Sequence, residues 1–169
     1  EASLWYKKDG GYGVNPEFAG KITPYIWNNV YDPDLGYRIA NAGYNVVLCN
    51  VTNFYFDMSY SNDPQEPGLY WAGFDDTWDA FAFDPFEMFH TTYTNAMGDP
   101  MVFGKVERLK PEAKKNIIGV QAQIWSETIK GPKMLEYSML PKLMGYAQSA
   151  WVQRRPWEGV ADSAARERI

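Results

Sequence analysis

The chain has 169 residues, 46% of them hydrophobic and 22% charged, which suits one domain with a sizeable core and excludes wholesale disorder. The net charge is −5 and no run of Lys and Arg is dense enough to track phosphates, which argues against nucleic-acid binding. Aromatic residues make up 17%, including 7 Trp and 12 Tyr, a content that fits either a large core or a site for a flat ligand.

Residues 1–20 are polar, Gly-rich and weakly periodic, and read as a lead-in loop with a short helix. Ile22 to Trp27 reads as a strand that starts only after Pro24, because proline is awkward in a central strand. Asp32-Pro33-Asp34 is a helix start, with Asp32 as cap, Pro33 at the first helical position, and Leu35, Ile39 and Ala42 on the buried side. Gly43 is its C-terminal stop. Tyr44 to Val51 is a nearly continuous apolar run, which suits a parallel strand buried on both faces, and Asn53 to Asp57 closes it.

From Met58 to about Thr77 the composition is that of a long loop, and loops of such length in compact domains are usually functional. Asp79 to Phe89 reads as a short helix with Phe81 and Phe89 inward, residues 90–104 as loop, and Val106 to Lys115 as helix. Ile117 to Trp125 is the third strand. Pro132 opens the last helix after Gly131, with Leu135, Met139, Leu140, Leu143, Met144, Ala147 and Trp151 as an apolar stripe that Pro141 should kink. The tail from Val152 onward is polar and is expected to fray.

The alternation of strand and helix indicates right-handed β/α units on a parallel sheet. Three strands with open edges make a poor complete sheet, so the chain reads as part of something larger. Glu1 in place of an initiating Met fits removal of an upstream segment. No signal peptide and no membrane-spanning run is evident. Cys49 is the single cysteine, which excludes an internal disulfide and leaves the redox compartment open. The single histidine, His90, excludes a His-based metal cluster and is expected on a loop or at the surface.

Chemistry concentrates at the strand ends, where β/α barrels keep their active sites. Trp27 ends the first strand, Tyr55 and Asp57 the second, and Trp125 and Glu127 the third. Residues two apart on a strand face one side, so Tyr-x-Asp and Trp-x-Glu each aim a ring and a carboxylate into one space. An indole covers the C–H face of a sugar while an acid binds its hydroxyls. The other reading of the same residues is that both tryptophans pack the core while the acids cap helices or bond loop amides.

Three motifs in order carry a resemblance. They are YIW at Tyr25–Trp27, FYFD at Phe54–Asp57 followed by PGLYWAGF at Pro67–Phe74, and GVQAQIWSE at Gly119–Glu127 followed by the final helix. Together they resemble the C-terminal part of the catalytic barrel of glycoside hydrolase family 20, the β-N-acetylhexosaminidases. The resemblance implies an α/β fold, the portion of a (β/α)8 TIM barrel from about strand six to strand eight with their helices. Residues 21–151 are that portion, 1–20 the lead-in and 152–169 the tail.

Family enzymes remove terminal N-acetylglucosamine or N-acetylgalactosamine with retention, and the substrate's own acetamido group attacks the anomeric carbon. This is the substrate-assisted exception among two-carboxylate glycosidases. By motif, Tyr55 resembles the tyrosine that hydrogen-bonds the acetamido carbonyl. Asp57 and Glu127 resemble the residues that hold the 4- and 6-hydroxyls. Trp27 and Trp125 look like walls of the acetamido pocket, and Trp71 is similar to the platform for the leaving-group sugar.

The resemblance implies no cofactor and no metal. Its partners are an N-acetylhexosamine-terminated glycan and either the N-terminal half of the barrel or a second copy of the chain. Family members are commonly secreted, periplasmic or lysosomal, which favours a place outside the cytoplasm.

One part of the family pattern is absent. The paired Asp-Glu of a His-x-Gly-Gly-Asp-Glu motif, expected at the end of strand four, does not occur, so the chain by itself is expected not to hydrolyse glycosides. Gln148 also departs from the Glu usual in the last helix. The alternative is a non-catalytic sugar-binding or scaffolding module on the same fold.

Overall fold

The computed structural model describes residues 15–90 and 105–155. Three parallel strands, β1 (Tyr25–Ile26), β2 (Val46–Leu48) and β3 (Ile117–Val120), form one sheet in the order β1-β2-β3. Tyr25 pairs with Val47 and Ile26 with Leu48, and Leu48 in turn pairs with Val120. The first strand starts after Pro24, whose carbonyl still accepts the Val47 N–H at 3.0 Å. Proline keeps its acceptor while lacking a donor, so the ladder begins on one side only.

Helix α1 (Leu35–Asn41) crosses from β1 to β2, and Gly43 ends it at φ +92, a conformation that glycine adopts without steric cost. Asp32 does not cap it. Asp32 and Asp34 instead clasp Arg38, with Asp34 Oδ1 2.8 Å from its Nε, and the helix begins two residues after Pro33. Its buried face is Gly36, Tyr37, Ile39 and Ala40, while Ala42 is exposed and Leu35 only half-buried.

The second strand is shorter than the apolar run implies. Asn50 turns the chain, and Val51–Phe54 forms a single helical turn, α2, where a continued strand was expected. The cause is a buried polar cluster. Asn29 Nδ2 donates to Thr52 Oγ1 at 2.6 Å, Thr52 Oγ1 to Asn53 Oδ1 at 2.9 Å, and Asn53 Nδ2 to the Asp79 carbonyl at 3.1 Å. Side chains that bond nearby backbone and one another offer the chain an alternative to the ladder. Tyr55 then rejoins the sheet direction by bridging Gln123 in parallel.

Residues 105–110 are not helical. Lys110 is extended (φ −73, ψ 146) because Pro111 follows it, and Pro111–Asn116 forms a 3-10 turn. Asp34 and Asn41 side chains accept the Glu107 and Lys110 N–H groups at 2.8 and 2.9 Å, so this segment runs along α1. Past Val120 the third strand gives way to a looser path, held by Gln121 N–H on the Leu48 carbonyl at 3.0 Å.

The long loop leads into α3 (Thr77–Ala82), shorter than the expected Asp79–Phe89 helix and capped by Asp76, whose carboxylate accepts the Trp78 and Asp79 N–H groups. Phe83 and Phe89 are buried beyond its end, and Phe81 is half-buried. His90 is partly exposed, closing a 3-10 turn at Met88–His90.

Pro132 opens α4 (Pro132–Met139), and Pro141 splits rather than kinks the final helix, so that α5 runs Lys142–Trp151. The expected stripe is partly reversed. Met139 and Leu143 pack on the core, but Leu135, Leu140 and Met144 are exposed and Trp151 is 87% exposed. The face of α5 that is buried carries Lys142, Gly145 and Ser149. A Cβ at Gly145 would stand 2.6 Å from the Thr77 carbonyl oxygen, so α5 approaches α3 as closely as only glycine permits. Arg155 is buried and donates to the Ser149 carbonyl, against the expectation of a fraying tail from Val152. The expectations for residues 1–14, 91–104 and 156–169 lie outside the described residues.

The main core lies between the sheet and its helices and includes Ile26, Tyr37, Ile39, Tyr44, Val46, Leu48, Phe54, Phe56 and Phe83.

Candidate functional site at the strand ends

A cleft of about 960 Å³ opens at the C-terminal ends of the strands, and Trp27, Tyr55, Asp57, Trp71, Trp125 and Glu127 all line it. Trp27 immediately follows β1. Its carbonyl accepts the Val51 N–H at 3.1 Å, which ties the first strand end to the α2 turn. Tyr55 and Asp57 follow that turn, and Phe56 between them donates its N–H to the Gln123 carbonyl at 2.8 Å. This alternation points Phe56 into the core and the other two side chains into the cleft.

The sheet direction persists on the third side. The Trp125 N–H donates to Asp57 Oδ1 at 3.0 Å, linking the second and third strand ends through the site itself. The other carboxylate oxygen, Oδ2, is buried and has no partner among the described residues. Burial pushes the Asp57 carboxyl above the usual range. The Trp125 N–H opposes that push, the Glu127 charge adds to it, and Lys142 acts against it. Glu127 stands exposed at the mouth. The two acids therefore differ: one desolvated and held, the other in water.

Two of the ring pairs sit edge to face and the third is tilted. Trp27 and Trp71 have centroids 6.3 Å apart at 78°, Tyr55 and Trp71 6.4 Å apart at 79°, and Tyr55 and Trp125 6.1 Å apart at 58°. Aromatic pairs favour such geometry over stacking, so each ring holds the next in place without covering its face. Trp27 remains 38% exposed, Trp71 39% and Trp125 49%.

Trp71 reaches the cleft from the long loop. Leu69 donates its N–H to the Asp57 carbonyl at 3.1 Å, and Ser59 returns one to the Leu69 carbonyl at 2.7 Å. Gly68 makes the approach feasible: it holds φ +118, and a Cβ there would lie 2.7 Å from the Asp57 carbonyl oxygen. The loop's far side is fastened to α4. Tyr60 donates its hydroxyl to the Tyr137 and Leu140 carbonyls at 3.1 and 3.0 Å, and the Tyr137 hydroxyl donates to Glu66 at 2.9 Å.

Gln121 and Gln123 also line the cleft, as do Asn28 and Cys49. The two glutamines were legible without structure. They stand at spacings of two before Trp125 in QAQIW, so the rule that aims Trp125 and Glu127 together includes them. Among the described residues no cluster of three His, Cys, Asp or Glu is placed to hold a metal ion, and no helix is long and apolar enough to cross a membrane.

Fold and cleft together define a β/α protein that offers aromatic walls and carboxylates at its strand ends, the form taken by sites for hydroxylated ring ligands. Comparison with known proteins narrows the class. The sequence profile "Glycosyl hydrolase family 20, catalytic domain" matches residues 7–154. A β-hexosaminidase of Vibrio vulnificus is 35% identical over 147 residues, covering 85% of this chain and 16% of that protein. An N,N'-diacetylchitobiase of Vibrio harveyi is 36% identical over 126 residues, covering 72% of this chain and 14% of that protein.

Solved structures agree. A family 20 exo-β-N-acetylglucosaminidase from Vibrio harveyi in complex with N-acetylglucosamine has a TM-score of 0.52 at 26% identity, over 86% of this chain and 19% of that one. A Streptomyces plicatus β-hexosaminidase mutant bound to its product GlcNAc has a TM-score of 0.54 at 25% identity, over 80% and 25%. The chain belongs to glycoside hydrolase family 20, whose catalytic domain is a TIM barrel, and it spans about a sixth of the length of these curated relatives.

Proposed function

We propose that this chain is the C-terminal part, about strands six to eight with their helices, of the barrel of a retaining, substrate-assisted β-N-acetylhexosaminidase. It supplies the sugar-binding half of the site. The observation that carries this reading is that one cleft is lined by all six motif residues, with one carboxylate oxygen of Asp57 buried and without a partner among the described residues. A buried acceptor left open in a cleft is costly unless a ligand satisfies it.

In this reading the Tyr55 hydroxyl donates to the acetamido carbonyl oxygen and fixes the internal nucleophile against the anomeric carbon, a gain of positioning rather than of charge. Asp57 and Glu127 accept hydrogen bonds from the 4- and 6-hydroxyls. Trp27 and Trp125 enclose the acetamido methyl, and Trp71 carries the leaving-group sugar on its open face. The Asp-Glu pair that orients the acetamido group and protonates the leaving oxygen comes from outside these 169 residues, which contain no His-x-Gly-Gly-Asp-Glu run. The chain alone therefore has no general acid and does not turn over substrate.

The partner that completes the barrel meets the outer edges of β1 and β3, which pair with no further strand among the described residues, and is either the N-terminal half of the same barrel or a second copy of the chain. Exposed Ile118 on β3 and exposed Met144 and Trp151 on α5 fit such a covering. The missing acid pair also supports a second reading, a non-catalytic sugar-binding module on this fold.

The coding region upstream of Glu1 separates the two. Strands one to five with a Gly-Asp-Glu end, together with release of 4-nitrophenol from its N-acetylglucosaminide by the complete product and not by the 169 residues, support the enzyme reading. An unrelated domain or a start codon directly upstream defeats it in favour of the binding module.

A further inference from the structure

Beneath the cleft lies a positive charge that the motif resemblance does not account for. Lys142, the first residue of α5, has no exposed surface. Its ammonium donates to the carbonyls of Phe56 at 3.2 Å and Met58 at 2.7 Å, the two residues that flank Asp57. It also lies 4.1 Å from the centre of the Tyr60 ring, at the root of the long loop. An ammonium taken out of water costs several kcal/mol unless it is matched by carbonyls or negative charge. Here the match is made on both sides of one site carboxylate.

We propose that Lys142 is the positioning residue for Asp57. Its two hydrogen bonds fix the backbone on either side, so that the Asp57 oxygen without a partner among the described residues faces the cleft, and its charge offsets part of the cost of burying that carboxylate. The inference rests on the sugar-site reading for its consequence, but its physical content concerns only Lys142 and Asp57.

The surrounding charges agree with the geometry. Asp57 faces Glu127 from beyond β3 and Lys142 from α5. Lys142 in turn faces Asp75, Asp57, and Asp76 and Asp79 at the start of α3. Asp75 is fully buried and neither of its carboxylate oxygens has a hydrogen-bond partner among the described residues. Burial lowers the Lys142 ammonium and the four carboxylates oppose that. One buried cation thus serves a group of acids, of which Asp57 alone reaches the cleft.

The test follows the Asp57 carboxyl carbon by NMR through a pH titration of the sugar-free 169-residue chain. Lys142→Gln keeps N–H donors for the two carbonyls and removes the charge. The expected result is an Asp57 midpoint moved upward, with affinity for N-acetylglucosamine weakened about tenfold. Lys142→Arg, which keeps charge and donors, should restore both to near the wild-type values.

A reciprocal measurement guards against a variant that fails to fold. In the isosteric Asp57→Asn, the Lys142 ammonium should lose its proton at lower pH than in the wild type. An Asp57 midpoint unmoved in Lys142→Gln, or a Lys142 titration unmoved in Asp57→Asn, overturns the proposal and leaves Lys142 as the counter-charge of Asp75. If wild-type chain does not bind N-acetylglucosamine at all, the sugar-site reading falls, and these two midpoints still decide the part played by Lys142.

Discussion

The cleft at the strand ends and the seam between α3 and α5 are built from opposite materials. In the seam, Gly145 lies against the Thr77 carbonyl, and the Ser149 hydroxyl reaches the Ala80 and Phe83 carbonyls at 2.9 and 3.2 Å. Small side chains there bring two backbones together and leave no polar atom of Ser149 in want of a partner. In the cleft, three tryptophans keep more than a third of their surface open and one Asp57 oxygen has no partner among the described residues. Burying an indole stabilises a fold by about 25 cal/mol per Å² of apolar area, so leaving three of them open forgoes stability. On the proposed reading, the contrast separates what the fold needs from what a ligand needs.

That separation predicts a clean division among mutants. The largest effect belongs to the seam. Gly145→Val must displace the Thr77 carbonyl and the Phe81 backbone, and should destabilise the chain by about 3 kcal/mol or prevent folding. Urea denaturation measures it, and a variant as stable as wild type would mean that the seam is not closely packed.

Asp57→Asn comes next and belongs to the cleft. It keeps an acceptor for the Trp125 N–H but loses the charge, so affinity for N-acetylglucosamine should fall about tenfold. Stability should hold or rise, because a desolvated carboxylate is removed. Calorimetry and a thermal melt on one sample check both halves. A large loss of stability would move Asp57 from the ligand's account to the fold's.

Trp71→Ala should act more narrowly. It removes the proposed platform for the leaving-group sugar, so binding of chitobiose should weaken a few-fold, on the order of one aromatic contact, while binding of the monosaccharide changes less. Equal loss for both sugars would show that the Trp27 and Tyr55 rings depend on Trp71 for their own placement.

A pH dependence on the seam side completes the contrast. Burial, reinforced by the charge of Asp76, raises the Asp79 carboxyl to about 7. A carboxyl whose pKa is higher folded than unfolded binds its proton more tightly in the native state. Its stabilising contribution is therefore complete below the unfolded value near 3.8 and is lost as pH rises toward 7. Stability of Asp79→Asn, which retains an acceptor for the Asp76 N–H, should be flatter than wild type between about pH 4 and about pH 7. Parallel curves for the two proteins would contradict that assignment.

The sequence disclosed the cleft better than the seam, for a physical reason. The period of two along extended chain aims Tyr55 with Asp57 and Trp125 with Glu127, and it survives the short α2 turn because Tyr55 returns to pair with Gln123. Parallel strand order and the start at Pro132 were equally readable. The α2 turn was not, since the contacts that break β2 come from Asn29 and Asp79, each more than twenty residues away. The final helix misled most. Its apolar period marks Leu135, Met144 and Trp151 as inward, yet the buried face carries Lys142, Gly145 and Ser149, because closeness to α3 outweighs side-chain hydrophobicity there. Lys142 was invisible for the same reason: a lysine on a helix reads as a solvated charge until the carbonyls around it are known.

The cleft is proposed to take an N-acetylhexosamine. Tryptophan emission of the 169-residue chain, titrated in parallel with N-acetylglucosamine and with glucose, tests it most directly, since Trp27, Trp71 and Trp125 all line the cleft. The expected result is a saturable change with N-acetylglucosamine, reduced in Trp125→Phe, and little response to glucose, which lacks the acetamido group. No saturable change, or the same change with both sugars, would contradict it.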